Sequence, residues 1–277
     1  MLYVVATPIG NPEDISARAV RTLREVSLIA CEDTRRTARL LAAREIGTRT
    51  ISYFEHNEHQ RIPALLAHLE SGENIALVTD AGTPAVSDPG YRLIRAAIDA
   101  GMTVTAIPGP SAVIAALSVA GLPTDRFAFE GFLPAKSGER QRLLQRLASE
   151  ERTLVVYEAA RRLGRLLEEM AGAFGADRRA VVVREATKTY EEIVRGTLAE
   201  LAARFGMQEV LGEVTLVVAG NAGASPAGLP AMNHAQIVEV LKEAGVSLKV
   251  AAVAAAKLTG MSRREIYQSA LEKDRSE

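Results

Sequence analysis

Short apolar runs alternate along the chain with longer segments in which apolar residues recur at helical spacing. Runs at 2–7, 27–31, 48–54, 75–78 and 103–107 predict strands. Helical patterns lie between them. One carries Ile15, Ala19, Val20 and Leu23, and a basic one carries Arg35, Arg36 and Arg39. A third opens with Asn57 and Gln60 at capping-box spacing, a fourth runs from about Tyr91 to Gly101, and an Ala-rich one ends at Gly121. Strands alternating with helices in this way predict βαβ units and a parallel sheet.

From Leu122 the pattern changes. Runs at 127–132, 153–157, 180–184, 191–195 and 213–219 read as strands, and 138–149 as an Arg-rich amphipathic helix. Thr197 and Glu200 stand at capping-box spacing before another helix. This half reads as α/β with antiparallel strands mixed in. A Gly/Ala/Pro/Ser-rich linker at 221–230 then leads to helical patterns at 234–244, 248–258 and 262–272. Ser262 and Glu265 form a further capping-box pair after the turn Thr259-Gly260-Met261, and the last two helices resemble a helix-turn-helix unit. The expected fold class is therefore α/β, with an N-terminal domain at 1–121, a mixed domain at 122–220 and a helical appendage at 231–277. The appendage reads equally as a small helical cap, with Lys249, Lys257, Arg263 and Arg264 as its modest basic supply.

Composition narrows the classes. With 277 residues, 48% hydrophobic and 24% charged, the chain has the material for a large globular core. No apolar run reaches transmembrane length, and Met1 leads directly into Leu2-Tyr3-Val4-Val5-Ala6, so neither a membrane span nor a signal peptide is expected. The single Cys31 excludes an internal disulfide and a Cys-based metal cluster, and it suits a reducing cytoplasm. His56 and His59 lack a third clustered ligand, so no metal site is expected. A net charge of −1 gives no global attraction to nucleic acid. Any RNA contact must come from local clusters: Arg35/Arg36/Arg39, Arg140/Arg142/Arg146, Arg161/Arg162/Arg165 or Arg178/Arg179.

Three loops at predicted strand ends carry the candidate chemistry: Thr7-Pro8-Ile9-Gly10-Asn11, Asp80-Ala81-Gly82-Thr83-Pro84 and Pro108-Gly109-Pro110-Ser111-Ala112. The carboxyl edge of a parallel sheet is where open α/β folds hold ligands. Gly82 lets the backbone approach a ligand, Pro84 and Pro89 stiffen the loop, and Asp80 accepts hydrogen bonds. Pro110 suits a first helical position, which leaves the Ser111 and Ala112 amides free at a positive helix end. An ordinary turn role is open to each loop as well. No dinucleotide fingerprint or Walker-type loop is present, so neither a dinucleotide nor a nucleoside triphosphate is expected.

These loops, with Ala30-Cys31-Glu32-Asp33-Thr34-Arg35, Tyr53-Phe54-Glu55-His56-Asn57-Glu58, Ser87-Asp88-Pro89-Gly90-Tyr91, Phe129-Glu130-Gly131-Phe132-Leu133-Pro134, Arg184-Glu185-Ala186-Thr187-Lys188 and Gly212-Glu213, resemble the tetrapyrrole-methylase superfamily. The likeness covers residues 1 to about 220. The Cys-Glu-Asp-Thr-Arg and His-Asn-Glu stretches are similar to the branch that methylates a cytidine 2′-oxygen of 16S rRNA. The chain departs from the family's pattern at Ala160 and Arg161, where Pro and His are expected, and at Ala186, where Leu is expected.

The resemblance implies two α/β domains with S-adenosylmethionine in the cleft between them, a homodimer, and 16S rRNA in the 30S subunit as partner. It implies cofactor contacts from Pro8, Ile9 and Gly10, from Asp80, Gly82 and Thr83, from Ser111 and Ala112, and from Tyr157. Methyl transfer to a hydroxyl also calls for a proton acceptor. The candidates at strand ends are Asp33, Asn57, Glu185 and Lys188; the lysine qualifies only with a depressed pKa. Structural roles are equally open, since Asp33 suits a helix cap and Glu185–Lys188 a solvated pair. Two other readings stand beside this one: a methylase of a corrin-type ring, and a non-catalytic RNA-binding assembly factor.

Overall fold

Short apolar runs build the first sheet, with successive side chains facing opposite apolar clusters. A computed structural model describes residues 1–206, 211–221, 234–259 and 262–274. The linker beyond Asn221 and the Gly260-Met261 turn lie outside them. Strands Leu2–Val5 (β1), Leu28–Cys31 (β2), Thr50–Ser52 (β3), Ile75–Val78 (β4) and Val104–Ile107 (β5) form a sheet in the order β3-β2-β4-β1-β5. Every pairing in it is parallel. Leu28, Ala30, Ile75 and Leu77 face one apolar cluster, and Ile29, Cys31, Ala76 and Val78 face another. Both faces are thus buried, as parallel sheets require.

Helices cover those faces. Ala17–Glu25 (α1) and Thr34–Ala42 (α2) supply Ala19, Leu23 and Leu41 to one cluster. Glu58–Glu70 (α3) and Tyr91–Asp99 (α4) supply Leu65, Leu69, Leu93 and Ala97 to the other. The expected capping box at Asn57 does not form. The Asn57 amide instead accepts from Phe54 N (2.8 Å) and donates to Ser52 O (3.2 Å), which pins the loop before α3. Helix Ala112–Ala120 (α5) starts later than expected: Ser111 is its N-cap, and Pro110 precedes the cap.

The second sheet combines Phe127–Phe132 (β6), Thr153–Ala159 (β7), Arg179–Arg184 (β8), Glu192–Thr197 (β9) and Glu213–Val218 (β10) in the order β6-β7-β10-β8-β9. Only the β6–β7 pairing is parallel, in keeping with the mixed pattern of the sequence. Helices Ser137–Leu147 (α6), Leu163–Phe174 (α7) and Leu198–Gly206 (α8) cover one face. The other face packs on α5 through Val113, Ala116, Leu117 and Ala120. The last helix of the N-terminal segment therefore serves the second sheet, and both sheets belong to one unit, Met1–Asn221. The Thr197–Glu200 capping box forms reciprocally, at 2.8 and 3.2 Å.

Residues 222–277 make a second unit. Its helices His234–Glu243 (α9), Leu248–Thr259 (α10) and Arg263–Asp274 (α11) meet around Val238, Ala251, Ala252, Ala255 and Ile266. Among the described residues, no helix is long and apolar enough to cross a membrane.

Helix α7 is absent from the sequence reading, yet Leu163, Leu166, Leu167, Met170 and Phe174 are all buried. It packs closely on α8 because Gly164 carries no side chain. A Cβ there would lie 2.8 Å from Phe205 O and 2.9 Å from Gly206 Cα. Gly164→Ala is therefore expected to destabilise the fold by about 1–3 kcal/mol despite its gain in helix propensity, as overpacking does. Urea unfolding of the variant checks this; an unchanged or raised midpoint contradicts it.

Candidate functional site

The site begins where β1 and β4 lie side by side. The chain leaving β1 enters α1 on one face of the sheet, and the chain leaving β4 enters α4 on the other. Such a switch point opens a crevice at the carboxyl edge. Two backbone hydrogen bonds lock the departing loops together: Thr7 N donates to Gly82 O (2.9 Å), and Gly82 N donates to Thr7 O (3.1 Å). Gly82 adopts φ +87°, a conformation natural to glycine. Thr83 Oγ1 donates to Pro110 O (3.3 Å), which brings in the loop after β5.

A cavity of about 370 Å³ lies between this edge and the second sheet. Ile9, Gly82, Thr83, Ser111, Ala112 and Tyr157, all expected from sequence, line it. Pro8, Gly10 and Asp80 stand off the lining. Gly10 packs against the loop after β8, where a Cβ would meet Thr187 Oγ1 at 2.7 Å and Ala186 O at 2.8 Å. The Asp80 carboxylate is turned toward the end of β2. It accepts from Asp33 N (3.0 Å) and pairs with Arg36 (3.3 Å). Burial raises its pKa, and the Asp33 amide only partly offsets this.

The lining also contains residues to which the sequence assigned no role: Val86, Ser87, Asp88, Phe132, Glu158 and Glu213. Two of these carboxylates are engaged: Glu158 with Arg162, and Glu213 with Lys188 at 3.1 Å. Asp88 has no cationic partner among the described residues. Thr79 Oγ1 donates to Glu32 at 3.0 Å and also bonds Asp88, so one hydroxyl faces two carboxylates. The backbone around Asp88 is strained, with Ala85 at φ +68° and Ser87 at φ +62°. Strain of this kind collects at functional sites. That strain is the signal, invisible in residue type, that separates Asp88 from Asp80.

None of the four candidate proton acceptors lines the cavity. Asp33 caps α2 through Arg35 N (2.8 Å), and the Arg35 side chain holds its carboxyl well below the usual range. Asn57 is spent on its own loop. Glu185 and Lys188 meet at 2.9 Å behind the Gly212–Glu213 rim, and Glu185 also accepts from Glu213 N (2.9 Å). Burial works to lower the Lys188 pKa, but the hydrogen bonds to Glu185 and Glu213 outweigh it and the pKa is raised. The depressed lysine that base chemistry requires is thus not found. Of the arginine clusters, Arg140 is buried against Glu169 (2.6 Å), and Arg35, Arg36, Arg162 and Arg165 all pair with carboxylates. Among the described residues, no group of three or more His, Cys, Asp or Glu side chains is arranged for a metal ion.

The family model for tetrapyrrole (corrin/porphyrin) methylases matches residues 1–202. Curated relatives named ribosomal RNA small subunit methyltransferase I are similar over nearly the whole chain. The Synechocystis protein is 47% identical over 98% of this chain and 98% of its own. The Pseudomonas aeruginosa protein is 46% identical over 98% and 97%, and one from Mycobacterium tuberculosis H37Rv is 44% identical over 99% and 95%. Among solved structures, cobalt precorrin-4 methyltransferase aligns with TM-score 0.60 at 20% identity, over 79% of this chain and 94% of its own. Uroporphyrin-III C-methyltransferase from Thermus thermophilus, complexed with S-adenosylhomocysteine, aligns with TM-score 0.56 at 23% identity, over 79% and 96%. These two likenesses establish the fold.

Asp88 gives the site a pH signature. Burial first, and then the Glu32 charge, push its carboxyl up to about 6. In an unfolded chain it titrates near about 3.9. Between those values the folded chain holds the proton more tightly, so raising the pH through this window removes stability. Asp88→Asn lacks that loss. Its melting temperature relative to the wild type is expected to climb between about pH 4 and 6.5 and then level. Paired thermal melts across that range check it, and a difference independent of pH contradicts it.

Proposed function

The chain belongs to the family of tetrapyrrole (corrin/porphyrin) methylases, and on that premise we propose that it is an S-adenosylmethionine-dependent methyltransferase acting on RNA of the small ribosomal subunit. The acceptor in this reading is the 2′-oxygen of a cytidine in 16S rRNA, met in the 30S subunit by a cytoplasmic homodimer. The observation that carries the RNA substrate is extent. The ring methylases are nearly exhausted by 79% of this chain, whereas the small-subunit RNA methyltransferases align with 98% or more of it. The remainder of the chain has counterparts in the RNA enzymes.

The cavity fits the cofactor. Its volume lies in the range of small-molecule sites, about 300–1,000 Å³. Asp88 offers a carboxylate without a cationic partner to a cofactor that carries positive charge. The first turn of α5 offers amides to a carboxylate. Ile9, Val86, Ala112 and Val183 supply apolar wall, and Tyr157 closes it from the second sheet. S-adenosylmethionine, when bound, supplies a methyl group made electrophilic by its sulfonium. The protein's own contribution is to align the acceptor oxygen and exclude water. Because Lys188 is held protonated, the rim carboxylate Glu213, which lines the cavity, is placed to take the hydroxyl proton in preference to the amine.

Tritium transfer from labelled S-adenosylmethionine tests the reading, with unmodified 30S subunits, naked 16S rRNA and a tetrapyrrole precursor offered in parallel. Label is expected on the 30S RNA at one ribose, in a linkage that resists alkaline hydrolysis. Label on the tetrapyrrole alone, or on no RNA, overturns it. Asp88→Asn is expected to weaken cofactor binding by roughly 10- to 150-fold, the value of a hydrogen bond to a charged group. Calorimetric titration with S-adenosylmethionine measures it, and unchanged affinity removes Asp88 from the cofactor site.

A further inference from the structure

Phe132 ends β6 on the cavity wall and yet is 59% exposed. A local device puts it there. The β6–β7 pairing shifts register between Phe129 and Phe132, and Gly131 adopts φ +63° within the shift. Bulges of this kind re-aim a side chain, and they recur beside active sites. A Cβ on Gly131 would lie 3.2 Å from Ser87 Oγ, so the bulge seats against the strained loop after β4. The Phe132 ring leans on Tyr157 at 5.4 Å, and Phe129 meets Tyr157 edge-on at 4.9 Å. Val86, 40% exposed, continues this lip from the first sheet.

Charge completes the lip. The β6–β7 register sets Phe132 beside Tyr157 on parallel strands, so the chain following each leaves at the same edge. Arg161 follows β7 there and is exposed. Arg162 is paired with Glu158 and Arg165 with Glu169, whereas Arg161 has no ion pair among the described residues. Lys136 follows β6 at that edge, with its side chain 82% exposed and paired with Glu139 at 3.4 Å, so the free charge there is that of Arg161. An exposed aromatic ring and an unpaired guanidinium at one edge of the sheet are complementary to a nucleobase and its phosphate. Stacking is sequence-tolerant, and phosphate contacts set register.

We propose that Phe132 is the platform on which the base of the acceptor nucleotide stacks, with Arg161 holding an adjacent phosphate of the same strand. The inference rests on the RNA reading above and names the part of the site that receives the nucleotide. In the transfer itself the ribose oxygen bonds to the methyl carbon. The carbon–sulfur bond breaks with its electron pair going to sulfur, and the hydroxyl proton passes to a rim carboxylate. Phe132 takes no part in those bonds; it fixes where the ribose lies.

The test compares Phe132→Ala, Phe132→Leu and Phe132→Trp with the wild type on unmodified 30S subunits. KM and kcat are measured together with S-adenosylmethionine affinity by calorimetry. Alanine and leucine are expected to raise KM roughly 5- to 150-fold, the value of one stacked base, while tryptophan stays within about threefold. Because Phe132 also lines the cofactor cavity, cofactor affinity is expected to fall in Phe132→Ala and Phe132→Leu, but by a smaller factor than KM rises. Arg161→Gln is expected to flatten the salt dependence of 30S binding by roughly 0.7–0.9 in log–log slope. Leucine performing as well as tryptophan, an unchanged KM in Phe132→Ala, or loss of cofactor affinity in step with KM overturns the platform. A wild-type enzyme that labels no RNA removes the premise as well, whereas normal wild-type labelling with an indifferent Phe132→Ala removes the platform alone.

Discussion

The pair of backbone hydrogen bonds between Thr7 and Gly82 is the constraint on which the site depends. It lies where two neighbouring strands send their chains to opposite faces of the sheet, and without it the two loops are free to separate. The Thr7 hydroxyl reinforces it by donating to Thr79 O at 3.0 Å. Thr79 is then fixed so that its own hydroxyl reaches Glu32 and Asp88. The chain beyond must turn sharply to bring Asp88 back over the cavity, which puts Ala85 and Ser87 in left-handed conformations at a cost of roughly 1–3 kcal/mol each. Such a turn persists only when over-determined. Ala85 N donates to Pro89 O, and the buried Glu58 carboxylate accepts from Gly90 N at 3.2 Å.

The opposite wall is held by a different kind of contact. Gly212 lies so close to Glu185 that no side chain fits there, and Glu185 N donates back to Glu213 O at 2.9 Å. The loop after β8 then reaches the first sheet. Asn11 N donates to Thr187 Oγ1 at 3.0 Å, over a Gly10 that has no room for a methyl group. With α5 buried against the second sheet, the two sheets are joined at both ends of the cavity. The cavity is therefore largely formed before any ligand arrives, as small-molecule sites generally are.

Much of this was legible in the sequence. The first sheet was, because its strands are short apolar runs bounded by turn residues and a parallel sheet buries both faces. The loops at its carboxyl edge followed from the same reasoning, and six of their residues reach the cavity. Helix α7 is masked in the sequence by Arg161 and Arg162 just before it and by Arg165, Glu168 and Glu169 within it, whose charges interrupt the apolar positions at helical spacing. Asp80 and Asp88 occupy one loop and cannot be ranked by residue type. Backbone dihedrals and the position of Arg36 decide between them, and both are tertiary facts. Lys188 failed as a depressed lysine for a similar reason: its partner Glu213 lies on a strand far along the chain, and no local pattern announces it.

The charges divide the site into two zones, and the division suits both ligands of the proposed reaction. Inside, Asp88 lines the cavity, with Glu32 and Asp80 behind it at the ends of β2 and β4; burial first, and then their charges, raise its pKa. That cluster disfavours a polyanion and favours a cation. Outside, at the edge where β6 and β7 end, Arg161 is exposed with no ion pair among the described residues, Lys136 is exposed and paired with Glu139 at 3.4 Å, and Arg162 and Arg165 are neutralised by carboxylates of their own. A cationic cofactor is drawn in past a rim that an RNA backbone can touch but not enter. For a chain with net charge −1 this separation serves the proposed contact with nucleic acid: exposed cations stand at one edge of the site, and the acidity lies behind and inside it.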